Sequence, residues 1–172
     1  MRSLDIAGTG MQAQQTNVEV ISNNIANMTT TGFKRRRAEF QDLIYQNLRR
    51  VGSNSSDTGT IVPSGAQVGL GVRTAAIYRI NEQGNLQQTA NTLDMAIQGE
   101  NMYLQTAASG QPVTGNPATP GFGKVMQGFI ETSNVNVVSE ITNLITAQRA
   151  YEMNSRVITT SDDMLNTLTN LR

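Results

Sequence analysis

The sequence predicts an α+β fold: long N- and C-terminal helices forming a coiled-coil-like pair, with a small extended or β-rich middle segment. Three observations predict it. Apolar side chains recur at alternating three- and four-residue steps at both ends, and the middle alternates with a period of two. The first Pro is Pro63, and neither Gly nor Pro occurs after Gly128. Both ends are therefore free to run as unbroken helices, and the middle is not.

The N-terminal helix, placed in residues 1–33, rests on Leu4, Ala7, Met11, Gln14, Val18, Ile21, Ile25 and Met28. Their spacing is the a/d seam of a coiled coil. Ser3 is expected to cap the helix, with Asp5 in its positive first turn. Gly8 and Gly10 weaken the early turns by about 1 kcal/mol each relative to Ala, so that end needs partners. The helix is expected to fray through Thr29-Thr30-Thr31, where adjacent β-branched residues lose rotamer freedom, and to stop at Gly32. Its roughly 25 helical residues, at 1.5 Å each, make it roughly 38 Å long.

Residues 34–51 open with Lys34-Arg35-Arg36-Arg37 and are expected as a basic linker with a short helix. Residues 52–66 (GSNSSDTGTIVPSGA) read as a polar loop insertion. Residues 67–99 form the β segment: from Val68 to Ile80 the even positions are Val, Leu, Val, Thr, Ala, Tyr and Ile, a strand pattern. A turn follows over 81–85, a second strand runs through Leu86, and Asp94–Gln98 is a short apolar strand. Residues 100–128 are a return segment, irregular over the Gly/Pro/Thr-rich stretch 106–124.

Residues 129–172 carry the second helix. Val137, Ile141, Leu144, Gln148, Tyr151, Ser155, Ile158, Asp162 and Leu165 alternate steps of four and three. The column Val137, Leu144, Tyr151, Ile158, Leu165 is apolar throughout, whereas the other turns polar at Gln148, Ser155 and Asp162. Asn134 or Asn136 can cap this helix, and Glu140 sits near its positive end. Residues 137–170 span roughly 50 Å as one helix, which calls for a partner of similar length. The polar seam positions fit a helix that meets several neighbours better than a dry two-helix core.

Composition narrows the chemistry. The chain has no His, Cys or Trp among its 172 residues and carries thirteen acidic and thirteen basic side chains. The usual zinc, haem and iron–sulfur ligand sets are missing, as are Ser-His-Asp and Cys-His machinery. Asp162 and Asp163 are neighbours on a helix and point to different faces, so they cannot flank one substrate. Gly69-Leu70-Gly71 lies in a strand pattern with no helix after it, which does not support a phosphate loop. The basic run lacks a groove or a nucleic-acid-binding motif, and the chain is neutral overall. No apolar run approaches the roughly 20 residues a membrane-spanning helix needs, and the N-terminus lacks the apolar stretch of a secretory signal. The expectation is no enzyme, no cofactor or metal, no nucleic acid, no membrane insertion and export without a cleaved signal. Ser, Thr, Asn and Gln make up 62 of the 172 residues, which suits broad hydrogen-bonded packing rather than a deep pocket.

Two stretches carry a resemblance. Ser22-Asn23-Asn24-Ile25-Ala26-Asn27-Met28-Thr29-Thr30-Thr31-Gly32-Phe33-Lys34-Arg35 resembles the N-terminal signature of the bacterial flagellar rod and hook axial proteins. Gln127-Gly128-Phe129-Ile130-Glu131-Thr132-Ser133-Asn134-Val135-Asn136-Val137, followed by Gln148-Arg149-Ala150-Tyr151-Glu152-Met153-Asn154-Ser155, resembles the same family's C-terminal motif. Tyr45-Gln46, the loop at 52–66 and Pro63–Val72 are similar to the insertion of the family's distal-rod branch. In that family a strand like Asp94–Gly99 leads into a sizeable outer β domain, whereas Glu100-Asn101-Met102-Tyr103-Leu104 already resembles the return from it. The outer domain is therefore expected to be missing near 99/100.

The resemblance implies a structural subunit of the bacterial flagellum basal body, spanning periplasm to outer membrane. Such subunits are exported by the flagellar type III route and polymerise helically with their own kind into a hollow, rigid drive shaft. Its implied neighbours are proximal rod proteins, the hook protein and the surrounding P- and L-ring proteins. The loop at 52–66 is then expected to brace neighbouring subunits. A proximal rod or hook subunit is the alternative within the family. Outside it stands a monomeric coiled-coil adaptor or nucleic-acid-binding module. Titration calorimetry with zinc, magnesium or calcium is expected to show no stoichiometric binding tighter than about 10 μM, or about −7 kcal/mol.

Overall fold

The structure, a computed structural model, describes residues 2–49, 52, 65–99, 111 and 115–170. Among these residues the order is α1 (Arg2–Ala26), β1 (Arg36–Asp42), β2 (Tyr45–Arg49), β3 (Ala66–Gly69), β4 (Val72–Arg79), β5 (Leu86–Gln88), β6 (Met95–Gln98), β7 (Lys124–Gln127), β8 (Phe129–Glu131) and α2 (Val137–Asn170). The α+β expectation holds. The strands form two-stranded sheets, β1 with β4, β2 with β3, β5 with β8 and β6 with β7. Most of the loop at 52–66 and most of the return segment 100–114 lie outside the described residues.

The chain divides into two compact units, the first Met1–Val18, Ala38–Ala76 and Ile145–Arg172, the second Glu19–Arg37 and Ile77–Leu144. In the first unit α1 packs on α2. Ser3 Oγ lies 3.3 Å from Ser161 Oγ. Gly10 leaves a notch for Asn154: a Cβ at Gly10 would sit 2.8 Å from Asn154 Nδ2. Ala7, Ala13, Ala147 and Ser161 are buried. The bend between β3 and β4 also reaches α1. Thr9 Oγ1 donates to Ile6 O at 2.8 Å and accepts from Val72 N at 3.3 Å. Gly71 has φ +121°, and a Cβ there would overlap Thr9 Oγ1.

In the second unit the end of α1 and the start of α2 frame the short sheets. Val20, Ile21, Asn24, Ala96 and Glu140 are buried. β5 pairs antiparallel with β8, from Leu86↔Glu131 to Gln88↔Phe129. β6 pairs antiparallel with β7, from Met95↔Gln127 to Gln98↔Lys124. Gly128, with φ +73°, turns the chain between β7 and β8. Its N–H donates to Asp94 O and its carbonyl accepts from Thr89 N, both at 2.7 Å.

Several expectations change in detail. Gly32 sits at φ +67°, as a helix stop requires, but α1 already ends at Ala26 and Met28 is exposed. Ser3 lies inside α1 rather than capping it, and its hydroxyl meets Ser161 instead. No short helix occurs in the described part of 34–51. Those residues form β1 and β2, because Ala38 is buried and strand pairing overrides helix propensity there. The single strand expected over 68–80 is broken at Leu70-Gly71 by the close approach to Thr9.

α2 has the predicted bounds but a different buried face. Ile141 is 45% exposed and Tyr151 43% exposed, and Gln148 and Asp162 also face outward. The more enclosed positions are Val137, Glu140, Leu144, Ala147, Ala150, Asn154, Ser155, Ile158, Ser161 and Leu165. The apolar column is largely kept, while the second column is joined by the positions one residue earlier, Glu140, Ala147, Asn154 and Ser161, with Ser155 still half-buried. On α1, Ala7 and Ile21 are buried and Leu4, Met11, Val18 and Ile25 half-buried. Buried Ala13, Val20 and Asn24 widen that face beyond a single seam.

Two substitutions test the backbone argument. Gly71→Ala is expected to lower stability by about 2 kcal/mol, since it forces a left-handed φ on an L side chain and crowds Thr9. Gly8→Ala, with open space around it, is expected to raise stability by about 0.5–1 kcal/mol. Urea unfolding of both variants checks the opposite signs.

Candidate functional site

The two terminal motifs meet in the second unit around the backbone of residues 33–36. Asn24 is 1% exposed. Its Nδ2 donates to Arg36 O at 2.8 Å, and its Oδ1 accepts from Arg36 N at 2.8 Å. The side-chain amide thus pairs with the Arg36 backbone as a neighbouring strand would. Nδ2 also donates to Glu140 Oε2 at 3.1 Å. One side chain of α1 therefore ties β1 to the first turn of α2, with its donors and acceptor all occupied.

Asn134 repeats the arrangement from the C-terminal motif. Its Oδ1 accepts from Arg35 N at 2.7 Å, and its Nδ2 donates to Ile80 O at 3.1 Å and Glu82 O at 3.0 Å. Its own N–H donates to Phe33 O at 3.3 Å, and Ile80 N donates to Arg35 O at 2.9 Å. Asn134 is thus committed before the helix begins. The cap of α2 is Asn136, whose Oδ1 accepts from Ser139 N at 3.2 Å and whose carbonyl accepts from Glu140 N at 3.0 Å.

Lys34 and Glu131 form an ion pair with side chains 14% and 20% exposed. Lys34 Nζ also donates to Glu82 O at 2.8 Å, and Glu131 Oε1 accepts from Gly84 N at 2.7 Å. Gly32 N donates to Glu131 O at 2.8 Å. Both charges are largely withdrawn from water, so each depends on the other and on these backbone partners. Arg35 makes a looser pair with Glu82 at 3.3 Å.

The remaining motif residues shape the turns. Asn27 Nδ2 donates to Asn23 O at 2.9 Å, and Thr30 Oγ1 donates to Asn27 Oδ1 at 3.2 Å, which closes the end of α1. Ser133 Oγ accepts from Val135 N at 3.3 Å. Phe33 and Val135 are half-buried, and Asn23 and Ala26 are exposed. The structure thus brings Asn24, Gly32, Phe33, Lys34, Glu131 and Asn134 together. The helix-seam positions Leu4, Met11, Val18, Ile158 and Leu165 belong to the first unit, and Leu144 lies one turn after Glu140 on α2. Sequence reasoning missed Glu140, Gly84 and Gly10 as contact positions. Only Glu140 gave a signal, a charged residue three steps into an apolar seam.

Beside the ion pair opens a cavity of about 570 Å³, lined among others by Lys34, Arg79, Ile97, Phe122 and Glu131. Lys34 and Glu131 satisfy one another, and Arg79 Nε donates to Asn81 Oδ1 at 3.1 Å. Among the described residues, no three of the acidic side chains gather into a metal-binding group, and no helix is long and apolar enough to cross a membrane. Chemically, the arrangement is a set of cross-ties.

Outside this site, buried and exposed apolar residues differ in size. Among the described residues, five of the seven buried apolar ones are alanines: Ala7, Ala13, Ala38, Ala96 and Ala147. Large side chains lie outside on α2, among them Val138, Ile141, Ile145, Met153, Val157, Met164 and Leu168. Among the described residues, the fully buried apolar side chains are mostly small, and many large ones on α2 are uncovered.

A family profile described as "Flagella basal body rod protein" matches residues 4–34, and one described as "Flagellar basal body rod FlgEFG protein C-terminal" matches residues 126–171. The chain is 40% identical to the flagellar basal-body rod protein FlgG of Caulobacter vibrioides, over all of both chains. It is 39% identical to that of Agrobacterium fabrum, over 95% of this chain and 97% of the relative. The flagellar hook protein FlgE of Treponema pallidum is 39% identical over 76% of this chain but only 30% of its own length. The Caulobacter alignment extends over 261 positions against 172 residues here, so that relative carries stretches with no counterpart in this chain.

Asn24→Ala is expected to cost about 3 kcal/mol, because it strands the N–H and C=O of Arg36 and removes a donor from Glu140. Asn24→Asp is expected to cost more, since it sets a second carboxylate beside Glu140 and faces the Arg36 carbonyl with no donor. Asn23→Ala, one residue away and exposed, is expected to stay within about 0.5 kcal/mol of the parent. Thermal and urea unfolding distinguish the three.

Proposed function

Because this chain belongs to the flagellar basal-body rod protein family, we propose that it is a structural subunit of the distal rod, polymerising helically into a hollow, rigid shaft that transmits motor torque to the hook. The observation that carries the self-assembly is the mismatch, among the described residues, between a mostly alanine core and an uncovered set of Val, Ile, Leu and Met on α2. Apolar surface of that kind marks an interaction site. A head-to-tail contact that does not close generates a helical array, and stiff paired helices supply its axial rigidity. The cross-ties at Asn24, Asn134 and Lys34–Glu131 suit a part that bears load rather than one that turns over substrate, and the role is non-enzymatic.

The partners in this reading are further copies of the chain, proximal rod proteins, the hook protein and the P- and L-ring proteins around the shaft. Similarity over the full length of rod relatives, against a minor part of the hook relative, favours the rod over the hook. The outer domain of the family is, in this reading, missing near 99/100. Support comes from the geometry on either side: β6 and β7 are hydrogen-bonded neighbours, and a Cβ at Gly99 would lie 2.7 Å from Gly123 Cα. A segment that leaves and returns at one place can be gained or lost without disturbing the rest.

Sedimentation at rising concentration, with electron microscopy of the pellet, tests the assembly. The parent chain is expected to form helical polymers, and Val138→Asp/Ile141→Asp to remain monomeric. Both residues are exposed, so the variant's unfolding free energy is expected to stay within about 1 kcal/mol of the parent. A parent that stays monomeric at every concentration overturns the reading.

A further inference from the structure

In the second unit β6 and β7 form a short two-stranded arm. At about 3.3 Å per residue it is roughly 13 Å long, from Met95↔Gln127 at its base to Gln98↔Lys124 at its tip. The chain leaves the arm at Gly128, whose N–H and carbonyl are held by Asp94 and Thr89. Ala96 is buried, yet Met95 is 71% exposed and Ile97 53% exposed. A ribbon of two strands depends on what it packs against. The cavity of about 570 Å³ runs along this arm: Met95, Ile97 and Gly99 line one part of its wall, and Thr31, Lys34 and Glu131 another. Side chains that border open space gain little dispersion on that side, so packing holds the arm weakly there.

We propose that Gln83 is a latch that sets the angle of this arm, with Gly128 as its hinge. Gln83 also lines the cavity, and its amide grips the far end of the arm. Nε2 donates to Ile97 O at 2.6 Å, and Oε1 accepts from Gly99 N at 3.3 Å. A carboxamide offers a donor and an acceptor side by side, so one side chain fixes both distance and direction. A tie at the tip of a lever resists rotation about its base better than the same tie placed near the base. Gln127 Nε2 donates to Thr92 O at 2.7 Å, close to the hinge, where it has little leverage. Both Gln83 bonds are exposed to solvent, and such bonds contribute modestly. The tie can therefore open and close, as a latch does.

The wall opposite the arm is tied within itself. Lys34 pairs with Glu131, and Arg79 Nε donates to Asn81 Oδ1, so these bonds stay on that side of the cavity. At the tip, Gly99 and Gly123 approach so closely that a Cβ at Gly123 would lie 2.9 Å from Gln98 O. The two chain ends at the tip therefore move together with the arm, and Gln83 aims whatever they carry. This device goes beyond the assembly reading and does not depend on it.

The test uses the full chain, dilute and unassembled. The chain has no Cys, so Thr31→Cys/Lys124→Cys, both at exposed positions, takes one spin label on the opposite wall and one on the arm. Pulsed electron spin resonance then gives the distribution of distances between them. Hydrogen exchange is followed at Gly99 N–H and, as a reference outside the arm, at Thr132 N–H, which donates to Asn85 O at 2.8 Å. Gln83→Met keeps the length of the side chain without its polar atoms. Gln83→Glu keeps an acceptor for Gly99 but faces the Ile97 carbonyl with no donor. In both variants Gly99 is expected to exchange about tenfold faster or more, the distance distribution to broaden, and Thr132 to stay as in the parent. A distribution as narrow as the parent's overturns the latch, because something else then holds the arm. Unchanged exchange at Gly99 overturns it as well. So does equal acceleration at Thr132, which would make Gln83 a support for the whole ribbon rather than for the arm.

Discussion

The contact between Asn24 and the backbone of Arg36 is the constraint on which the second unit depends. A carboxamide is the one side-chain group that can present a donor and an acceptor side by side, as a peptide does. At Asn24 it completes the hydrogen bonding of a strand end that has no neighbouring strand there, while its second N–H reaches the Glu140 carboxylate. Glu140 is itself buried, and a buried carboxylate needs donors placed before it arrives. The direction of β1 and the start of α2 are thus both set by a single residue of α1. Asn134 accepts from the next peptide N–H, that of Arg35, and donates to the carbonyls of Ile80 and Glu82. Two amides therefore hold two consecutive peptide units, and the Lys34–Glu131 pair closes the remaining side.

Polar ties take this role because the apolar core is so small. Alanine allows helices to approach closely but removes little apolar area from water, so burial alone orders such a unit weakly. Hydrogen bonds between buried groups contribute modestly when made and cost heavily when broken. They therefore select one geometry more than they add stability. A chain in which uncharged polar residues are so abundant has the means to build specificity this way.

The bounds of α2 were legible because an absence of Gly and Pro is unambiguous, and its cap was narrowed to two Asn residues of which Asn136 proved to be the one. Its buried face was not legible. A seam scanned for apolar residues selects Ile141 over Glu140 and ranks Ser161 and Asn154 below Ser155 and Asp162. The helices instead meet through a hydroxyl pair, a glycine notch and an amide–carboxylate bond. Each is a pairwise fit whose partner lies more than a hundred residues away in sequence, and periodicity carries no information about partners. β1 was misread for a related reason: its basic, Glu-containing sequence has ordinary helix propensity, and only its pairing with β4 makes it a strand. The motif residues were picked out by family resemblance. That resemblance gave no hint that Asn24 and Asn134 act as substitutes for a backbone.

The antiparallel register of the helices has a consequence for how the chain comes to be folded. Ser3 meets Ser161, Asn24 meets Glu140 and Lys34 meets Glu131, so the earliest residues wait for the latest. Closing a loop of that length is entropically costly, and the pairing of α1 with α2 has to wait for it. On a ribosome, residues 2–34 emerge well before the segment that covers them and stay uncovered through most of synthesis. Gly8, Gly10 and the Asn-rich end of α1 keep that waiting segment poor at forming helix alone. The same residues that look like weaknesses in the finished helix keep that segment from committing to helix before its partner exists.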